Sequence, residues 1–129
     1  MKNNKISTIL FFISVALVIL SFININIYNG IKETIVLRDA AIINELQIIV
    51  KDLKEDVTVE NVARLKSYSQ KIMNMNVSFY KNDNNLSNYS IKLSGLSSEI
   101  IKNSVNHELL PELLYEYENT LNTISGIIK

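Results

Sequence analysis

From Ile6 to Ile31 the sequence carries no charged residue, and its heart, Ile9 to Ile23, is built almost wholly of Ile, Leu, Val and Phe. Each such residue contributes roughly −0.3 to −0.6 kcal/mol to insertion near the bilayer centre. Ile6 to Ile25 alone supplies the roughly 20 residues needed to cross a hydrocarbon core of about 30 Å. A chain with such a run must place it in lipid, lose it, or bury it. A cleaved signal peptide would show a shorter apolar region followed by small residues spaced as in A-x-A. Here Ser14 and Ala16 lie inside the run, which ends in Ile-Asn-Ile-Asn-Ile-Tyr-Asn. Residues 1–29 are therefore read as an uncleaved membrane anchor, with a cleaved peptide and a buried soluble helix as the rivals. Lys2 and Lys5 tie with Lys32 and Arg38 in the charge count that sets orientation. The short N-terminal tail and the signal-peptide form favour an inside N-terminus. The expectation is a single pass in the cell membrane, with the body, 30–129, outside the cytoplasm.

Composition narrows the function classes. The 129 residues leave room for one domain beyond the anchor. Lys2 and Lys5 account for two of the 13 basic residues, so from Ile31 onward 11 face all 13 acidic ones. A mildly acidic body without a basic stripe argues against a nucleic-acid partner. There is no cysteine, hence no disulfide and no thiolate nucleophile. The single histidine, His107, would need a second metal ligand four residues on, and that position is Pro111. Gly30, Gly95 and Gly126 are isolated, so there is no phosphate-cradling loop. Glu108 and Glu112 read as solvated charges on an acidic helix. No catalytic, cofactor-binding or metal-binding residue is nominated, and an enzyme is not expected.

Beyond the anchor the periodicity is mainly helical. Ile31, Ile35, Val36, Ile42, Ile43, Leu46, Ile49, Val50 and Leu53 form one broad stripe, with Asp39 on its edge. Only Gly30 interrupts the passage from the anchor, at a cost of about 1 kcal/mol, so one long helix is expected to run through to Glu55. Thr58 is a natural N-cap and Glu60 suits the first turn of a second helix. That helix reaches about Asn74, with Val59, Val62, Leu65, Ile72 and Met73 inward. Leu96-Ser97 reads as the start of a third, capped by Ser97, with Leu96 stapled onto Ile101 and with Ile101, Val105 and Leu109 on its inner face. Pro111 suits the first turn of a fourth. There Leu110, Leu114, Tyr117, Leu121, Ile124 and Ile128 recur at 4, 3, 4, 3, 4. This stripe either packs on the first helix or binds a partner. Leu110, Leu114, Tyr117, Leu121 and Ile124 are the candidate partner-binding residues.

The stretch Asn76 to Gly95, NVSFYKNDNNLSNYSIKLSG, alternates instead. Val77 and Phe79 oppose Ser78 and Tyr80, and Tyr89, Ile91 and Leu93 oppose Ser90, Lys92 and Ser94. Period two with β-branched and aromatic residues signals strands, and Lys81 to Asn85 suits a loop. The fold expected is mainly α with one β-hairpin (α+β) within 76–94. The alternative is an all-α membrane-anchored bundle, with a helix continuing through the stretch. The order membrane helix, long helix, shorter helix, then NVSFYKNDNNLSNYSI resembles the N-terminal extracytoplasmic (Cache/PAS-like) sensor region of bacterial membrane histidine kinases and chemoreceptors. Complete members continue with further strands, a second membrane helix and a signalling domain, so the resemblance implies a truncated sensor without output. The functional expectation is a single-pass, membrane-anchored sensory or ligand/protein-interaction module. Its partners would be the lipid bilayer and a protein partner or a second copy. The alternative is a structural or adaptor component of the cell envelope binding through its helical stripe.

Overall fold

The computed structural model describes residues 2–75, 80, 83–105 and 108–128. Among them there are four helices and no strand: α1 (Lys2–Glu55), α2 (Val59–Met73), α3 (Asp83–Asn103) and α4 (Leu110–Ile128). The chain divides into two compact units, Met1–Thr34 and Ile35–Lys129.

The first unit is helical with no core of its own. From Ile6 to Thr34 every residue is exposed, including Phe11, Phe12, Val18 and Phe22. The helix is long and apolar enough to cross a membrane. Its hydroxyls are satisfied along the helix: Ser14 Oγ donates to the Leu10 carbonyl at 2.9 Å and Ser21 Oγ to that of Leu17 at 2.8 Å. This back-bonding lets serine sit in an apolar segment without a buried unmet donor.

The second unit is an all-α bundle. Residues 35–55 of α1 turn Ile43, Leu46, Ile49, Val50 and Leu53 inward. They meet Leu65 and Ile72 of α2, Leu86, Leu93 and Ile100 of α3, and the whole apolar stripe of α4 in one cluster. α2 starts where the sequence places it: the Asn61 amide donates to Thr58 Oγ1 at 3.1 Å, the N-cap bond. Val62 is partly buried in this helix, whereas Val59 and Met73 face solvent. Pro111 lies in the first turn of α4, where its missing N–H costs nothing.

The expected hairpin is overturned. α3 runs unbroken from Asp83, taking in the residues read as the second half of the loop and as the second strand. Val77, Phe79, Lys81 and Asn82 lie outside the described residues. In a helix Tyr89, Ile91 and Leu93 fall about 200° apart in succession. Leu93 is fully buried while Ile91 is 63% exposed, so no common face exists. The face that does exist is Leu86, Ser90, Leu93, Ser97 and Ile100, spaced 4, 3, 4, 3 and buried throughout. Two serines in five positions hide this helical stripe from a hydrophobicity reading. Ser97 is accordingly no cap but a mid-helix residue, its Oγ donating to the Leu93 carbonyl at 2.7 Å. The inner face is Leu93, Leu96 and Ile100; Val105 and Leu109, expected inside, are exposed.

Candidate functional site

The nominated stripe on α4 is the bundle's own interior. Leu110 and Leu114 are at most 4% exposed, and Tyr117, Leu121 and Ile124 are fully buried. All five belong to the core cluster with Leu46 and Leu53 of α1. The packing alternative accounts for them, and they present no surface to an outside partner. The helix is held to α1 at its polar rim as well: Lys54 Nζ lies 2.6 Å from Glu118 Oε2, and Gln47 Nε2 donates to Asn122 Oδ1 at 3.0 Å.

Two polar constellations are buried, and apolar periodicity nominated neither. In the first, Asp39 is fully buried on the inward side of α1. Its Oδ1 accepts from Arg38 Nη2 at 2.7 Å and Nε at 2.9 Å, and its Oδ2 accepts from the Tyr80 hydroxyl at 2.8 Å. Both carboxylate oxygens are thus partnered, which offsets the cost of taking the charge out of water. Burial, and then the bond to the Asp39 carboxylate, push the Tyr80 phenol well above the ordinary tyrosine range. In the second, Ser69 Oγ of α2 lies 2.6 Å from Ser97 Oγ of α3 and 3.1 Å from the Tyr117 hydroxyl of α4. With Ser97 Oγ donating to Leu93, the single Ser69 hydroxyl proton goes either to Ser97 Oγ or to the Leu65 carbonyl, 2.7 Å away. Burial raises the Tyr117 phenol, and the two serine hydroxyls oppose that rise. Three hydroxyls from three helices make a satisfied internal knot that fixes how those helices meet. They are shielded from solvent and surrounded by apolar neighbours, an arrangement suited to packing specificity.

On the surface, Arg64 of α2 ties two carboxylates of α1. Its Nη2 lies 2.7 Å from Glu45 Oε1 and its Nη1 3.0 Å from Asp52 Oδ2. The hydrogen bonds it donates, first to Glu45 and then to Asp52, hold the guanidinium even more firmly protonated than usual, against partial desolvation. Beside this clamp lies an open groove of about 600 Å³, lined by Arg38, Ala41, Ile42, Glu45, Tyr68 and Lys71 among others. Lys71 Nζ sits 3.9 Å over the centre of the Tyr68 ring. A second hollow, of about 560 Å³, lies at the far end of α1, between Leu53, Asp56, Val57, Pro111 and Tyr115. Both are shallow and of mixed polarity, shaped to take a side chain or two from a partner surface rather than to enclose a small molecule. Among the described residues no three His, Cys, Asp or Glu side chains converge as a metal site would require; His107 lies outside them.

Comparison of the chain with family models, with curated proteins and with solved structures finds no match. Sequence reasoning missed Arg64, Tyr80, Ser69 and Ser97, and saw Asp39 only as an edge residue. A signal existed for the serines, since Ser90 and Ser97 stand seven apart in phase with Leu86, Leu93 and Ile100. No local pattern pointed to Arg64 or Tyr80, whose carboxylate partners are 12 to 41 residues away.

Proposed function

We propose that this chain is a single-pass membrane protein whose helical body works outside the cytoplasm as a sensory or protein-interaction module, without catalysis of its own. The observation that carries the reading is the contrast between an apolar helix exposed on all sides over residues 6–31 and a body whose apolar stripes close on one another. In water the first would be untenable; in lipid it is solvated. The open, mixed grooves on α1 suit contact with another protein surface, and the buried hydroxyl knot suits a body with a defined packing state to transmit. The resemblance to sensor regions turned on the hairpin that α3 replaces, so it lends the sensory branch no support. The orientation rests on the signal-peptide form of the apolar run.

The test uses the absence of native cysteine. Asn88→Cys, at an exposed position of α3, should react with a membrane-impermeant maleimide on intact cells, in protein that pellets with membranes after an alkaline wash. Labelling only after lysis would overturn the orientation, and release by the wash would overturn the anchor.

A further inference from the structure

The body segment of α1 carries two apolar rows, and only one is used. The inner row lies in the core. The outer row is Leu37, Ala41, Asn44 and Ile48, spaced 4, 3, 4 and exposed throughout, with Leu37 65% and Ile48 50% accessible. A helix that is apolar on two faces is ordinarily packed on both.

We infer that a second copy of this chain covers this row, the two α1 helices lying parallel with Asn44 opposite its own counterpart. The inference deepens the membrane-module reading and rests on its anchor. Three features point to a copy rather than to an unrelated protein. The 4, 3, 4 spacing is that of knobs-into-holes packing between like helices. Asn44 carries an amide donor and an amide acceptor, so it can bond its symmetry-related self. A single polar residue in such a seam fixes register and orientation.

Charge agrees as well. In a parallel pair, flanking residues five apart in sequence meet across the seam, g of one helix with e of the next heptad on the other. Ala40 then meets Glu45, Gln47 meets Asp52, and in sequence Glu33 stands five before Arg38, so no like charges are opposed and one opposite pair is made twice by symmetry. Arg38 is bonded to Asp39 but keeps 52% of its side chain exposed, with donors to spare. Lys51, three residues past Ile48, would set like charges against each other at the next seam position, so the row ends at Ile48.

The row is short. Four side chains per copy fall well below the roughly 800 Å² per partner of a stable interface. Copies anchored in one bilayer are held in the same orientation and confined to a plane, which raises their effective concentration and selects the parallel pairing. The dimer therefore belongs to the membrane-bound chain.

The full-length chain bearing single cysteines, Asn44→Cys or Ile48→Cys, is reconstituted in phosphatidylcholine vesicles and oxidised, with Asn119→Cys on the exposed side of α4 as control. Asn44→Cys and Ile48→Cys should give disulfide dimer in roughly tenfold excess over the control, as expected for sites held at high effective concentration. Adding Ile48→Glu to Asn44→Cys should return the yield to the control level without changing helicity, because position 48 is exposed. Equal yields at all three positions overturn the dimer. So does a disulfide that forms between Leu37→Cys and Ile48→Cys chains but not within either, the mark of antiparallel pairing. Exclusive cross-linking of Ile48→Cys to a heavier, different protein in native membranes overturns it too. Alkaline washing of the same vesicles separates the two readings: chain that pellets without cross-linking refutes the dimer alone, and chain that washes off refutes the anchor and the dimer with it.

Discussion

Residues 6–31 and residues 35–55 belong to the same helix, α1, and draw on the same aliphatic alphabet, yet their surroundings are opposite. In the first stretch Ile, Leu, Val and Phe occupy every face and all are exposed. In the second, charges break the circumference, and Ile43, Leu46, Ile49, Val50 and Leu53 disappear into the core while Lys51 and Lys54 face out. Helix propensity does not distinguish the two stretches. What differs is whether polar residues leave a stripe for other helices to cover or leave nothing that water can solvate. The lesson is about surroundings: one stretch is patterned for protein neighbours, while the other is long and apolar enough to cross a membrane.

Truncation in the body should have the largest effect. Leu46→Ala and Leu121→Ala each remove a fully buried side chain from the core, and such changes cost about 2–5 kcal/mol. With roughly 4–8 °C lost per kcal/mol in a domain of this size, thermal unfolding should move down by about 8 °C or more. Leu20→Ala, the same change in the first unit, should leave that transition where it was. A comparable drop from Leu20→Ala would erase the distinction between the two stretches.

A charge reverses the sensitivities. Val15→Arg places arginine near the middle of the apolar run and should cost about 2.5–3.5 kcal/mol of insertion, read as a loss of membrane-pelleted chain. Lys51→Glu, on the exposed side of the body, should change neither pelleting nor melting measurably.

The third effect is smaller and concerns polar burial in the body. Tyr80→Phe leaves Asp39 Oδ2 without its phenolic donor, and an unmet buried acceptor costs about 1–3 kcal/mol. Denaturant unfolding should show that loss, with Tyr115→Phe, at an exposed position of α4, silent.

The smallest is a pH effect. The phenols of Tyr80 and Tyr117 are both raised by burial. A group raised in the folded state stabilises it below its unfolded value and loses that contribution as pH climbs toward the folded one. The body should therefore hold its tyrosine-linked stability up to about pH 10 and lose it above. In ultraviolet titration, two of the six tyrosines should ionise late and together with unfolding. Simultaneous ionisation of all six at the ordinary value would contradict the burial.

Legibility followed the same divide. The apolar run, the continuity of α1 past Gly30, the Thr58 cap, the start at Pro111 and the inward face of α4 could be read directly, because each is a local pattern with one physical meaning. The region 83–97 could not. Its helical stripe is written half in serine, whose hydroxyls bond back to Leu86, Leu93 and each other's neighbourhood only once the helix exists. Meanwhile Tyr89, Ile91 and Leu93 alternate by coincidence of composition. The α4 stripe was legible as a stripe, with packing on α1 and a partner as the two readings, since periodicity shows that a face is apolar and never what covers it. The bond of Tyr80 to Asp39 and those of Arg64 to Glu45 and Asp52 join residues far apart along the chain, and such pairs have no local signature.

The central claim, that residues 6–31 are solvated by lipid and the body by water, meets its most direct test in a cysteine scan by impermeant maleimide across the cysteine-free chain in sealed membranes. Ser14→Cys, Val18→Cys and Ile23→Cys should stay unlabelled until detergent is added, while Asn88→Cys and Asn119→Cys react at once from the outer side. Labelling of Val18→Cys as fast as Asn119→Cys in intact membranes would contradict the account.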